Sequence, residues 1–279
     1  MADERPLAGR VALVTGGARG QGRSHALALA AAGAAVALVD VPAPLASVRY
    51  ELSGAADLDG AVAAVSALGT GAIGIQADVR SRDEIRAAVK QTEAELGPVD
   101  VLVANAGICC SGSFVDVDEA LWSETLDTNL GGVMWAMQAV VPGMVERGFG
   151  RIVATASMAG RGGGRNLSAY SASKWGVIGL VKCLALEVAG TGVTVNVVCP
   201  AAVETPMVLN DANYRLFCPD ITEPTRHDAI GRFRRMSPLG EAWMQPEDVS
   251  REVLHLVLDR GLTTGVAVEL GLGGSAKGL

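Results

Sequence analysis

The stretch Val11-Ala12-Leu13-Val14-Thr15-Gly16-Gly17-Ala18-Arg19-Gly20-Gln21-Gly22 decides the fold of this chain. A short apolar run enters a glycine-rich turn, and an alanine-rich run that can form a helix follows it. Backbone N–H groups in such a turn, together with the N-terminus of the helix, can approach a pyrophosphate. The glycine spacing is not G-x-G-x-x-G, so the interpretation depends on the position of the turn between a strand and a helix. The alternative is a purely structural turn.

Strand-like and helix-like segments alternate along the rest of the sequence. This alternation predicts an α/β fold, a single-domain Rossmann-type doubly wound parallel sheet over residues 1–279. Short β-branched runs predict strands at Val11–Thr15, Ala35–Asp40, Ala72–Ala77, Val99–Ala104, Arg151–Thr155, Val193–Val198 and Val266–Leu270. Longer stretches predict helices at Gly20–Ala32, Asp57–Leu68, Arg82–Leu96, Asp118–Arg147, Ala169–Ala189 and Pro246–Leu258.

Composition excludes several classes of protein. The 279 residues are 49% hydrophobic and carry a net charge of −7 without a basic block, which argues against a nucleic-acid partner. There is no apolar stretch of membrane-spanning length and no signal-peptide pattern at the start. Five cysteines, an odd number, predict reduced thiols and a cytoplasmic location. The adjacent Cys109 and Cys110 have no supporting second pair, and the three histidines lack metal-ligand spacing, so no metal is expected.

Two regions break the alternation. Val41–Ala56, with Pro42, Pro44 and Gly54, is a longer connection than expected after the second strand. Ala201–Pro238 contains four prolines and is too long for a plain turn. We predict that Ala201–Pro238 is a substrate lid in the C-terminal third of the chain. The alternative is a surface excursion without a ligand.

Asp40 ends the second strand, 18 residues after Gly22. A carboxylate there can accept hydrogen bonds from ribose hydroxyls and would repel a 2′-phosphate, which favours NAD over NADP. Arg19 beside the glycines could instead pair with that phosphate. We weigh Asp40 more heavily, because a buried clash of like charges costs more than an exposed ion pair contributes.

Tyr170 and Lys174 are four residues apart and share one face of a predicted helix. A tyrosine with the ordinary pKa of about 10 is a poor base at neutral pH. A nearby ammonium group and the positive nicotinamide would favour the phenolate and bring the pKa of Tyr170 towards working pH. Ser157, at the end of the fifth strand, can hold the substrate oxygen near that phenol. An isolated Tyr-x-x-x-Lys would be an ordinary helix surface, but the upstream glycine loop and Ser157 favour catalysis.

These residues resemble the motifs of the short-chain dehydrogenase/reductase family over nearly the whole chain. The resemblance implies catalysis by Asn129, Ser157, Tyr170 and Lys174, with the asparagine supporting a water relay to the lysine. Ala201 stands where the family has glycine after Pro200. Dinucleotide-binding residues implied by the loop, by Asp40 and by the family motifs are Gly16, Arg19, Gly20, Gln21, Gly22, Asp40, Asp78, Val79, Asn105, Ala106, Gly107, Tyr170, Lys174, Val203 and Thr205.

A narrower resemblance is to the mycofactocin-coupled, carveol dehydrogenase-like subfamily. It is carried by the run Arg19–His25, the long connection after Asp40, and the segments Thr205–Met207 and Tyr214–Phe217. The subfamily implies tightly held NAD that an external redox carrier reoxidises in place, and the family implies a homotetramer. Three positions depart from the subfamily pattern: Ala169, Trp175 and Glu269-Leu270-Gly271.

The sequence as a whole predicts an NAD-dependent oxidoreductase that acts on a secondary alcohol or its ketone. Candidate substrate residues are Ser157, Met207, Leu209, Tyr214 and Phe217, whose mainly apolar character suggests a terpenoid-like substrate. One alternative is an NADP-linked 3-ketoacyl reductase. Another is a non-catalytic dinucleotide sensor or scaffold.

Overall fold

The computed structural model describes residues 5–41 and 44–277; Pro42, within the long connection, lies outside the described residues. Seven parallel strands form one sheet across these residues, in the order β3-β2-β1-β4-β5-β6-β7. The strands are β1 Val11–Thr15, β2 Ala35–Asp40, β3 Ala72–Gln76, β4 Val99–Ala104, β5 Gly150–Thr155, β6 Val193–Pro200 and β7 Ala267–Leu270. The predicted doubly wound α/β fold is confirmed.

Helices cover both faces of this sheet. They are α1 Gly20–Ala31, α2 Ala55–Ser66, α3 Arg82–Glu95, α4 Glu119–Leu126, α5 Gly132–Glu146, α6 Ser168–Glu187, α7 Asp211–Phe217, α8 Arg226–Met236 and α9 Pro246–Leu258. One apolar cluster joins α1, α2 and α9 to the sheet, and a second joins α3, α5 and α6 to the opposite face. The central strands β1, β4, β5 and β6 are buried along their length because both faces are covered.

The chain reverses its direction of winding between β1 and β4, which are adjacent in the sheet. In an open α/β sheet, the crevice outside the carboxyl ends of such strands is where ligands bind. A ligand-binding site is therefore expected among the residues that follow β1, β4 and β5.

The predicted single helix Asp118–Arg147 is interrupted. A π-helical turn, Asp127–Gly131, separates α4 from α5, and the Gly132 N–H donates to the Asp127 carbonyl. A π turn adds a single residue, so it shifts the apolar spacing of the sequence by only one position. Hydrophobic spacing therefore did not reveal it.

The segment 201–238 is partly helical, which the sequence analysis did not predict. Asn210 caps α7 through its side chain, and Thr225 begins α8 with a capping box to Asp228. The two helices pack around a small cluster of their own, in which the Phe217 and Phe233 ring centroids are 4.5 Å apart.

Candidate active site

The glycine loop lies at the carboxyl end of β1 and leads into α1. Gly16 and Gly20 have φ angles of 65° and 53°, a conformation that side chains disfavour. Gly22 is needed for a different reason, since a Cβ there would lie 1.9 Å from the Gly16 carbonyl oxygen. The first turn of α1 contains no acidic side chain, so the positive end of the helix remains available to an anion.

Asp40 is fixed against this loop by three hydrogen bonds. Its Oδ2 accepts from the Ala18 N–H at 2.9 Å, and its Oδ1 accepts from the Val41 N–H and the Ser53 hydroxyl, both at 2.8 Å. The carboxylate lines the same cavity as Arg19. A ribose hydroxyl can donate to this carboxylate, whereas a 2′-phosphate would meet its charge at close range.

Asn105 joins the ends of three strands beneath the same cavity. Its side-chain Nδ2 donates to the Thr15 carbonyl at 3.2 Å, and its Oδ1 accepts from the Thr155 hydroxyl at 3.3 Å. The Thr15 hydroxyl in turn accepts from the backbone N–H groups of Asn105 and Ala106 at 3.0 and 3.1 Å. These bonds hold the loops after β1, β4 and β5 in a fixed relation.

The Tyr170 phenol is hydrogen-bonded to Ser157. The Ser157 hydroxyl follows β5 and also accepts from the Ala159 N–H at 3.1 Å. Lys174 is one turn further along α6, almost fully buried, and its Nζ donates to the Thr155 carbonyl at 2.9 Å. The Lys174 Nζ lies 5.7 Å from the centroid of the Tyr170 ring. The structure thus brings together the phenol, hydroxyl and ammonium groups predicted from the sequence.

The protein's own groups do not lower the pKa of Tyr170, and the lowering expected with the nicotinamide bound stays a prediction. Burial raises the pKa of Tyr170 above its ordinary value, and the hydrogen bond with Ser157 opposes this only in part. Lys174 directs its ammonium group at the backbone of β5, which limits its effect on the phenol. Burial also lowers the pKa of Lys174, to about 8. The lysine is therefore the group of this pair that titrates closest to neutral pH.

Asn129 lies in the π turn and is completely buried. Its Oδ1 accepts from the Ile108 N–H at 2.8 Å, and its Nδ2 donates to the Ile108 carbonyl at 2.9 Å and the Ser173 hydroxyl at 3.0 Å. A Cβ built on Gly107 would lie 3.1 Å from Asn129 Oδ1 and 3.4 Å from Lys174 Nζ. Glycine at 107 therefore leaves a narrow space between the amide and the ammonium group.

A first cavity, here called the dinucleotide cavity, runs from the glycine loop to α6. The fit to a dinucleotide depends on how closely the glycine loop approaches the loop after β4. A side chain at position 16 would separate the two loops, because a Cβ on Gly16 would come within 2.9 Å of the Ala106 Cα. Gly22, Asp78, Val79 and Val203 do not line it; Asp78 instead pairs with Arg80 at 2.6 Å, which lowers the pKa of that carboxyl. Predicted residues on its wall are Gly16, Arg19, Gly20, Gln21, Asp40, Asn105, Ala106, Gly107, Tyr170, Lys174 and Thr205.

A second cavity of about 550 Å³, here called the substrate cavity, lies under the segment 201–238. Ser157, Met207 and Phe217 line it, as predicted, and it meets the dinucleotide cavity at Tyr170 and Met207. Leu209 and Tyr214 are not on its wall. Tyr214 packs instead inside the small apolar cluster of α7 and α8.

Sequence reasoning missed several wall residues. Tyr50, in the connection after β2, lines the dinucleotide cavity, and its hydroxyl oxygen accepts from the Cys109 N–H at 3.1 Å. Leu45, in the same connection, packs with Ile108 and Cys110. Asn213 of α7 and Cys109 line the substrate cavity. The unusual length of the connection was a signal, but it did not identify which side chains reach the site.

Within residues 5–41 and 44–277, no cluster of three or more potential ligands could hold a metal ion. In the same part of the chain, the helices lack the length and apolar character that crossing a membrane requires.

Comparison with known proteins places this geometry in context. Residues 10–214 match the family model for short chain dehydrogenase. The chain is 43% identical over 274 residues to (−)-trans-carveol dehydrogenase of Rhodococcus erythropolis, covering 96% of this chain and 98% of that protein.

Two solved structures are also similar. Carveol dehydrogenase from Mycobacterium avium, in complex with NAD, is 36% identical, with a TM-score of 0.95 and coverage of 98% of this chain and 100% of that chain. A variant of actinorhodin polyketide ketoreductase with NADPH is 36% identical, with a TM-score of 0.85 and coverage of 98% and 99%.

Proposed function

The chain belongs to the short-chain dehydrogenase family, and from this premise we propose that it oxidises an apolar, terpenoid-like secondary alcohol, or reduces the corresponding ketone, with Tyr170 as the proton-transferring group. It is an NAD-dependent short-chain alcohol dehydrogenase. The observation that carries the proposal is the position of Tyr170, which lies on the wall of both cavities and is hydrogen-bonded to Ser157.

NAD is held by the glycine loop and by the carboxylate of Asp40. When bound, it supplies the two-electron acceptor or donor, and the positive charge of its oxidised ring favours the Tyr170 phenolate. Proposed contributors on the cavity wall also include Asn105 and Thr205. Gly22 and Val203 contribute through packing, since neither lines the cavity.

The chain's own residues orient the substrate and move the proton. Ser157 donates to or accepts from the substrate oxygen and keeps it beside the Tyr170 hydroxyl. In oxidation, Tyr170 takes the alcohol proton and passes its own proton towards Lys174, whose pKa of about 8 suits exchange near neutral pH. Asn129 supports the water relay that carries this proton to Lys174, beside Gly107. In ketone reduction the same groups move the proton in the opposite direction.

The substrate's apolar character is supported by the wall of the substrate cavity. Met158, Met207 and Met236 line it together with Phe217 and Leu167. Methionine side chains adapt to irregular apolar shapes, which suits a compact hydrocarbon skeleton. The relative from Rhodococcus erythropolis is named for carveol, an alcohol of this kind.

Retention of NAD during turnover is part of the proposal. Leu45, Tyr50, Leu52 and Ser53 of the connection after β2 line the dinucleotide cavity. The packing of Leu45 and Leu52 in one cluster with Ile108 opposes release of the dinucleotide. An external two-electron redox carrier, as in mycofactocin-coupled enzymes, then reoxidises the reduced NAD in place.

The protein is also proposed to be a cytoplasmic homotetramer. Its five cysteines are free, which suits a reducing compartment. Leu130, Met134 and Leu180, near α5 and α6, line a shallow apolar depression that a second copy can cover. Light scattering at micromolar concentration measures the mass, and a monomer would contradict the assembly.

The alternative function is an NADP-linked ketoacyl reductase, favoured by Arg19 on the wall of the dinucleotide cavity. The deciding experiment measures the dinucleotide retained by extensively dialysed protein and its reduction by secondary alcohols. About one NAD per chain, reduced on addition of an apolar alcohol, is expected. Retained NADP would favour the alternative. Retained NAD would favour a dinucleotide sensor or scaffold if alcohols do not reduce its oxidised form and ketones do not oxidise its reduced form.

A further inference from the structure

The polar groups on the wall of the substrate cavity fall into two sets. Ser157, Tyr170 and Cys109 belong to the catalytic end, which follows β4 and β5. Asn213 and Ser237 belong to the segment 201–238. The other side chains on the described wall are mainly apolar, so these two residues supply its side-chain polar groups outside the catalytic end.

The orientation of the Asn213 amide follows from its hydrogen bonds. Asn213 is 9% exposed, and its Nδ2 donates to the Met207 carbonyl. A carbonyl oxygen can only accept, so the nitrogen of the amide must face Met207 and the oxygen must face away from it. Among the described residues, no group donates to Asn213 Oδ1. The amide thus leaves an acceptor at the cavity wall.

Ser237 presents an acceptor as well. Its hydroxyl donates to the Leu272 carbonyl at 3.3 Å, which uses the single proton that a hydroxyl carries. The remaining lone pairs of the Ser237 oxygen can only accept. The segment 201–238 therefore offers two acceptors at the cavity wall, the Asn213 amide oxygen and the Ser237 oxygen, whose single proton is already engaged.

We propose that the natural substrate carries, besides its reacting carbinol, a second hydroxyl group as a hydrogen-bond donor, and that Asn213 and Ser237 select for it. This inference depends on the proposed alcohol dehydrogenase function and refines its substrate class. An apolar group against Asn213 leaves the amide oxygen desolvated without a partner, and an ether oxygen would place two acceptors against each other.

The test uses three cyclohexanols that differ only across the ring from the carbinol. One bears a tertiary hydroxyl on a dimethylcarbinol group, the second the methyl ether of that group, and the third a tert-butyl group. The tertiary hydroxyl cannot itself be oxidised to a ketone. We expect kcat/KM for the hydroxyl compound to exceed that for the tert-butyl compound about tenfold, with the ether slowest.

Two substitutions separate recognition from lid structure. Asn213→Leu should remove the preference for the hydroxyl compound and raise kcat/KM for the tert-butyl compound. Arg215→Leu is the matched control, because Arg215 lies on the same helix and receives the same new side chain, but it is exposed and does not line the cavity. The control should keep the order of the three substrates. Thermal melting of each variant reports whether it is folded.

Equal kcat/KM for all three compounds in the unaltered protein would overturn the inference and leave the dehydrogenase function standing. The same holds if Asn213→Leu and Arg215→Leu change the order alike, since that would show an effect of the geometry of α7 rather than of the Asn213 amide. Failure to oxidise any secondary alcohol, in a protein that retains NAD, would overturn both.

Discussion

The catalytic end of the site and the segment 201–238 are built in different ways. Tyr170, Lys174 and Asn129 lie on elements that pack against the buried central strands of the sheet; Lys174 and Asn129 bond to backbone groups, and Tyr170 bonds to Ser157. The segment 201–238, which we propose to be the substrate lid, is held by its own small apolar cluster and by partly exposed contacts, such as those of Glu204 with Arg226 and Gln245. Chemistry requires fixed geometry, whereas substrate choice can vary on a peripheral element without disturbing the core.

The largest expected difference between the two regions comes from their tyrosines. Tyr170→Phe should lower kcat by about 10²–10⁴-fold, because it removes the acid/base group while keeping the ring. Tyr214→Phe in the lid is the control and should leave kcat within about twofold. Steady-state kinetics with NAD content measured in parallel checks both. An unchanged rate in Tyr170→Phe would refute the catalytic assignment.

Alanine substitutions at two glycines, one in the glycine loop and one in the segment 201–238, test how tightly each region is packed. Gly22→Ala should destabilise the protein by about 3 kcal/mol, since its Cβ would meet the Gly16 carbonyl at 1.9 Å. Gly231→Ala in α8 meets only the end of the Arg235 side chain, at 3.6 Å, and should stabilise by about 0.5 kcal/mol through lower unfolded-chain entropy. Urea unfolding gives both free energies. Equal destabilisation would show that the lid is packed as tightly as the loop.

The rate of alcohol oxidation should depend on pH through groups at the catalytic end and not through the segment 201–238. Above a pKa of about 8, neutral Lys174 can take the proton that leaves Tyr170; below it, the lysine is already protonated. The rate of alcohol oxidation should therefore rise with pH by up to about tenfold per unit below this pKa and level off above it, while ketone reduction should be flat below the pKa and fall above it. The affinity of the lid for an apolar inhibitor should not change with pH. Stopped-flow traces across pH 6–10 (roughly the range that brackets the lysine) separate the two.

The smallest expected effect concerns the ion pair of the lid. Glu204→Gln weakens the contact with Arg226, and exposed pairs contribute about 0.2–1 kcal/mol. We expect KM to rise about two- to fivefold with kcat unchanged, and added salt to reproduce part of the effect. Arg251→Gln removes a more exposed pair with Asp248 on α9 and serves as the control. A loss of kcat in Glu204→Gln would mean that the lid also positions the reacting groups.

The sequence predicted the rigid region better than the lid for a physical reason. Residues such as Gly16, Ser157 and Lys174 follow regular strands or lie on a regular helix, so their spacing alone defines their relative positions. Helices α7 and α8 are short and lie among prolines, and tertiary packing rather than hydrophobic period establishes them. The same limit applied to Tyr50 and Asn213, which reach the cavities from irregular or marginal segments. The raised pKa of Tyr170 depends on burial, which spacing does not reveal.

The π turn at Asp127–Gly131 has a consequence for the way this chain tolerates changes in length. Each residue of a helix turns the following side chains by about 100°. A deletion within α4 or α5 therefore rotates the two helices against each other. The π turn holds one residue more than an α turn, so deleting one residue within it can restore an uninterrupted α-helix with nearly the same relative rotation of α4 and α5. Such a deletion removes the local bulge that aligns Asn129 with Ile108 and Ser173, so the flanking helices tolerate the loss while the position of Asn129 does not.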